Sequence, residues 1–122
     1  VEVAKKFVNQ SESNLHDHYG YMSPVHSLNN LAVVIWAFLS FQDSFDEAIG
    51  ETICCGWDTD CTGATVGGLI GLDKGSIPES WTDPWQGRVN TAIAGVGELK
   101  LEDLVERTCK LVDQFSSESD MD

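Results

Sequence analysis

Residues 44–71 read SFDEAIGETICCGWDTDCTGATVGGLIG, and what this stretch forms decides the fold. Ser44 and Glu47 stand three apart, the spacing at which a serine hydroxyl caps a helix and a glutamate answers it. Phe45, Ala48, Ile49, Thr52 and Ile53 follow on one face at helical spacing, so an amphipathic helix is expected here. Gly56 falls where a left-handed residue would end it. Trp57 to Asp60 then read as a loop into a second helix, opening at Thr62, in which Gly63, Gly67 and Gly71 recur every four residues. Each glycine costs a helix about 1 kcal/mol against alanine, so three on one face imply a backbone packed closely against them. Val66, Leu69 and Ile70 keep helical spacing, which argues against a flexible glycine loop.

Upstream, Leu28 to Phe41 is apolar nearly all round, with Trp36 and Phe38 adding bulk, as in a helix buried inside a larger bundle. Residues 1–26 are mixed and polar; Asn9 to Asn14 and the Tyr19-Gly20-Tyr21 turn signal read as loop after a short helix end. Downstream, Ile77-Pro78-Glu79-Ser80-Trp81 through Pro84-Trp85 reads as turn and short helix tied down by two tryptophans. A last helix carries Leu101, Leu104, Val105, Thr108, Val112 and Phe115 on one stripe, opposite Glu102, Asp103, Glu106, Arg107 and Lys110. Ser116 to Asp122 is small, polar and acidic, a composition that predicts a disordered tail. With no strand alternation and no repeat, the fold class is all-α. The chain opens on Val1 and reaches an apolar helix early, so residues 1–115 read as the C-terminal portion of a larger helical domain, followed by the tail 116–122.

The formal charge of −13, from 20 acidic against 7 basic residues, leaves no basic face to release phosphate counterions. Nucleic acid and anionic membranes are therefore excluded as expected partners, whereas a small phosphorylated ligand stays open where metal ions supply positive charge locally. The longest apolar run, Leu31 to Leu39, is about half of the roughly 18 residues a membrane span needs. Cys54, Cys55, Cys61 and Cys109 give neither a disulfide framework nor the paired spacing of a zinc site, which suits a reducing cytoplasm.

The chemistry concentrates in Gly56-Trp57-Asp58-Thr59-Asp60-Cys61-Thr62-Gly63. Two carboxylates two residues apart, just before a helix, can turn toward one point, and a hard divalent cation uses such oxygens. An EF-hand would need a bidentate glutamate at its twelfth position, where Leu69 stands. A phosphatase of the haloacid-dehalogenase type would place Asp58 at the end of a buried strand, whereas a capped helix precedes it here.

The run resembles the C-terminal metal-binding motif of the ADP-ribosylglycohydrolase family, a Gly-x-Asp-Thr-Asp-Thr followed by small residues that open a helix. The resemblance extends, in order, over the Tyr-Gly-Tyr loop, the apolar helix Leu28 to Phe41, the acidic turn into Ser44, the Asp-Thr-Asp motif, the small-residue helix and Ile77-Pro78-Glu79-x-Trp81. It implies a helical bundle with two Mg2+ ions, or another divalent metal, at the base of a cleft that binds ADP-ribose and hydrolyses a glycosidic bond at its terminal ribose. A non-catalytic member of the same fold, either binding ADP-ribose without turnover or serving as a structural pseudo-enzyme, is the alternative.

On this resemblance Asp58 and Asp60 would be metal ligands. The family's next ligand is a threonine directly after the second aspartate; this chain has Cys61 there and Thr62 one place later, so the site would use Thr62, a water, or a metal that accepts Cys61. Tyr21, Ser23 and His26 lie where the family contacts its ligand. The family's other metal motif, a Thr-Asp-Asp type run, is missing from these residues, so an N-terminal portion would have to complete the centre, and the fragment alone would be inactive.

Three other features have ordinary explanations beside their functional ones. His16-Asp17-His18 could ligate a transition metal, but histidines on an exposed polar loop are more often simply solvated. Cys54 and Cys55 close a helix and fit packing better than redox chemistry. The glycine repeat lacks the apolar 20-mer of a membrane dimerisation motif.

Overall fold

The computed structural model describes residues 12–119, in two compact units that meet in sequence between Ile77 and Pro78. Residues 9–11 of the expected N-terminal loop and residues 120–122 of the expected tail lie outside the described residues.

The first unit holds α1 (Glu12–Tyr19), α2 (Ser27–Phe41), α3 (Phe45–Cys54) and α4 (Thr59–Lys74). Helices α2, α3 and α4 pack on one another, and α1 packs on α2. Their core joins Leu15, Val33, Ala37, Ala48, Cys55, Val66 and Ile70, all at most 2% exposed, with Trp36 set edge-on to Phe41 at 5.3 Å. Among the described residues the apolar circumference of α2 is covered on one side: Ala32, Val33, Trp36 and Ala37 are buried, while Leu28 and Leu31 are about half exposed.

The capping signal at Ser44 is realised, with its hydroxyl accepting from the Glu47 amide at 3.3 Å, and Gly56 follows α3 with φ +74°. Two expectations are corrected. Helix α4 begins at Thr59, so Thr59 and Asp60 belong to its first turn rather than to a loop. Its glycine face receives side chains rather than a backbone: a Cβ on Gly63 would stand 3.0 Å from Ile53 Cδ1, and one on Gly67 would stand 3.3 Å from Ile49 Cδ1. The small-residue stripe is thus the socket for the apolar stripe of α3.

Glu12–Tyr19 is helix, not loop. Leu15, fully buried, anchors α1, and His16 lies over Trp57 with ring centres 4.3 Å apart. Turn chemistry resumes at Gly20, whose amide donates to the His16 carbonyl at 2.8 Å.

The second unit contains α5 (Glu79–Thr82), a 3-10 turn (Asp83–Trp85), strands β1 (Arg88–Asn90) and β2 (Glu98–Lys100), and α6 (Leu101–Ser119). The antiparallel pair was not expected; it sets Val89 opposite Leu99, and Arg88 forms an ion pair with Glu98. Trp81 and Trp85 stay more than a third exposed, so they tie the segment down less than expected. The last helix forms as its periodicity predicts, and it continues through Ser116 to Ser119 where a disordered tail was expected. Its apolar stripe remains exposed within this unit. No helix among the described residues is long and apolar enough to cross a membrane.

Candidate metal centre

The turn between α3 and α4 places two successive residues in left-handed backbone, Gly56 at φ +74° and Trp57 at φ +59°. Glycine takes that conformation freely, but for tryptophan it is strained, at about 1 kcal/mol or more. Contacts from α1 hold it: His16 stacks on the indole and its Nε2–H donates to the Cys55 carbonyl at 2.7 Å. A carbonyl only accepts, so this bond fixes the proton on Nε2. His16 is therefore a helical residue that supports the turn while staying exposed to solvent, rather than a loop residue.

The reversal delivers Asp58 to the N-cap position of α4. An aspartate there normally bonds the amides of the first turn, yet the Asp58 side chain makes no such cap. It lies instead beside the side chains of Asp60 and Cys61. One ligand atom from each of Asp58, Asp60 and Cys61 lies within 4.8 Å of the others. Asp58 is half-buried; Asp60 and Cys61 are exposed.

The electrostatics follow from this crowding. The Asp60 carboxyl is held below its ordinary range, first by the hydrogen bond with the Asp58 side chain and then by the backbone amides of Asp60 and Cys61. The Cys61 thiol is pushed up, first by its hydrogen bond to Asp58 and then by the charges of Asp58 and Asp60. Both effects favour an anionic carboxylate beside a neutral thiol. Below its pKa the thiolate fraction of a cysteine rises as that pKa falls. Asp58→Ala is therefore expected to speed alkylation of Cys61 by iodoacetamide at pH 8 several-fold, followed as the labelled peptide by mass spectrometry. An unchanged rate would contradict the contact.

Thr62 goes elsewhere. It is 2% exposed, and its hydroxyl donates to the Asp58 carbonyl at 3.0 Å. The loop residues are separately placed: Tyr21 is 82% exposed, the Ser23 carbonyl accepts from Asn29 Nδ2 at 3.1 Å, and His26 Nδ1 caps α2 by accepting from the Leu28 amide at 3.1 Å.

The sequence profile of the ADP-ribosylglycohydrolase family matches residues 1–119. The chain belongs to the ADP-ribosylglycohydrolase family. No curated protein and no solved structure gives a match. The ADP-ribosylglycohydrolase profile covers both units, and the helical architecture agrees with the fold expected of the family.

Sequence reasoning missed the residue that joins the acidic turn to the α2 loop of this family member. Asn30 Oδ1 accepts from the Asp58 amide at 3.3 Å, across 28 residues of chain. The available signal was a pair of adjacent amides, Asn29 and Asn30, at the start of an otherwise apolar helix. Such groups enter an apolar face only with partners to satisfy them.

Proposed function

We propose that this chain forms the C-terminal, metal-binding part of an enzyme that hydrolyses an ADP-ribosyl glycosidic bond, with Asp58 and Asp60 holding one side of a dinuclear Mg2+ centre. The observation that carries the reading is the uncapping of Asp58, whose carboxylate leaves the helix amides to meet Asp60. Two carboxylates this close repel when both are ionised, and a divalent cation between them removes that repulsion. The donors fit a hard cation: Mg2+ commonly takes one or two carboxylates from the protein and fills its remaining positions with water and substrate oxygens. Cys61 is the misfit, since a thiol is a poor partner for Mg2+ and a better one for softer metals such as Zn2+.

A bound divalent cation supplies charge neutralisation and a water of lowered pKa. The chain's own part is positional. Asp58 and Asp60 hold their oxygens at the start of α4, where backbone amides stabilise negative charge. The loop carrying Tyr21, Ser23 and His26 would contact the ADP-ribosyl group and orient its ribose for attack. Ligands from outside this segment would complete the metal shell. The presence of Cys61 in the cluster favours a second reading, a member of the fold that binds ADP-ribose without turnover.

Release of ADP-ribose from an ADP-ribosylated protein separates the two readings. The intact protein is expected to lose this activity in EDTA and regain it with excess Mg2+. Turnover that persists in EDTA would remove the metal-dependent mechanism, and ADP-ribose binding with no turnover under any metal would leave the second reading.

A further inference from the structure

We propose that Asn30 is a positioning residue that couples the loop of residues 23–26 to the Asp58–Asp60 turn, so that the metal ligands and the ligand loop are set in register by one amide. The proposal rests on the metal-dependent reading above and assigns a role to a residue outside the motif.

The geometry is bidirectional. The oxygen of the Asn30 side chain accepts from the backbone amide of Asp58 at 3.3 Å. Its nitrogen donates to the carbonyls of Pro24, at 2.8 Å, and His26, at 2.9 Å. An amide group alone among the side chains of this size offers an acceptor at one end and two donors at the other. Asn29 stiffens the arrangement from beneath: it is fully buried, donates to the Ser23 carbonyl at 3.1 Å, and accepts from the Asn30 backbone amide at 3.0 Å.

Two consequences follow for Asp58. At an N-cap whose side chain does not cap, the residue is fixed by its backbone, and the bond to Asn30 is the contact that reaches its amide from outside the turn. Moreover, Asn30 lines a shallow groove of about 200 Å³ with Leu31, Val34, Cys61, Thr62 and Thr65, so it stands on the same surface as the cluster it positions. Loss of a hydrogen-bonding partner behind a metal ligand typically costs about 10- to 100-fold in metal affinity. Asn30 acts one step further back, through the backbone of a ligand, and the lower end of that range is the expectation.

Two variants divide the role. Asn30→Ala removes both ends. Asn30→Asp keeps an oxygen to accept from the Asp58 amide but presents a second oxygen to the carbonyls of Pro24 and His26, releasing the loop. With the intact protein, Mn2+ affinity is read by electron paramagnetic resonance, ADP-ribose affinity of the Mn2+-loaded protein by calorimetry, and folding by thermal melting. Asn30→Ala is expected to weaken Mn2+ binding about 10-fold. Asn30→Asp is expected to hold Mn2+ at or above wild-type affinity while weakening ADP-ribose.

An Asn30→Ala protein that melts earlier yet binds Mn2+ and ADP-ribose like wild type would make Asn30 merely structural and overturn the proposal. If that variant does not fold, Asn30→Asp decides, and unchanged ADP-ribose affinity overturns the coupling. Wild-type protein that takes up no Mn2+ would overturn the metal reading itself, an outcome distinct from normal uptake that is insensitive to Asn30.

Discussion

Replacing Asp58 and Asp60 together by alanine is expected to lower hydrolysis of an ADP-ribosyl linkage by more than about 100-fold, beyond what loss of an indirect supporting partner produces. The protein should stay folded. Asp60 is exposed and Asp58 half-buried, and Asp58 makes no helix cap whose loss would destabilise α4. The core beneath, Val66 and Ile70 on α4 against Ala48 on α3, does not involve either carboxylate. The single variants should differ in kind. Asp58→Ala removes the partner that holds both Asp60 and Cys61, whereas Asp60→Ala leaves the Asp58–Cys61 contact in place. Rates at saturating Mg2+ with melting curves for each variant check this. Near-wild-type turnover by the folded double variant would show that the chemistry lies elsewhere.

Trp36→Ala is expected to be the most damaging single change to stability, costing about 3–5 kcal/mol. The side chain is 5% exposed on the buried face of α2 and meets Phe41 edge to face. A typical domain has about 5–15 kcal/mol to lose. The variant should unfold at much lower urea concentration with an unchanged slope, since the surface exposed on unfolding is nearly the same. A cost below about 1 kcal/mol would be that of a surface substitution and would contradict the packing around α2.

The fold was legible where periodicity and capping agreed. Ser44 with Glu47, and Gly56 beyond, bracketed α3 because those residue types satisfy helix ends by side chain and by backbone conformation. Helix α6 was legible for a different reason: its stripe is continuous over its length whether or not a neighbour covers it. Helix α1 was not, because its sequence is polar and, among the described residues, its buried anchor is Leu15; His16 on Trp57 and Leu15 in the core hold it, and both contacts are tertiary. The two strands are three residues each, too short to alternate visibly, and depend on the Arg88–Glu98 pair and on Val89 facing Leu99.

At the site, spacing alone brought Asp58 and Asp60 together, since two carboxylates flanking one residue at a helix start have few ways to diverge. The structure brings Cys61 into the same cluster, while the hydroxyl of Thr62 turns back to the Asp58 carbonyl. Asn30 was invisible because its partner lies 28 residues away, and no local pattern marks a bond of that span. A close neighbour for the glycine face was anticipated, but neither its identity nor its nature was: isoleucines of α3, not a backbone, fill the space that side chains on Gly63 and Gly67 would take.

The most direct test of the central claim is calorimetry of Mg2+ binding to the intact protein, wild type and Asp58→Ala/Asp60→Ala, followed by titration with ADP-ribose. Mg2+ uptake by wild type that the double variant loses, with ADP-ribose binding only to the metal-loaded wild type, is the predicted result. Equal uptake by both proteins, or none by wild type, would contradict a metal centre at Asp58 and Asp60.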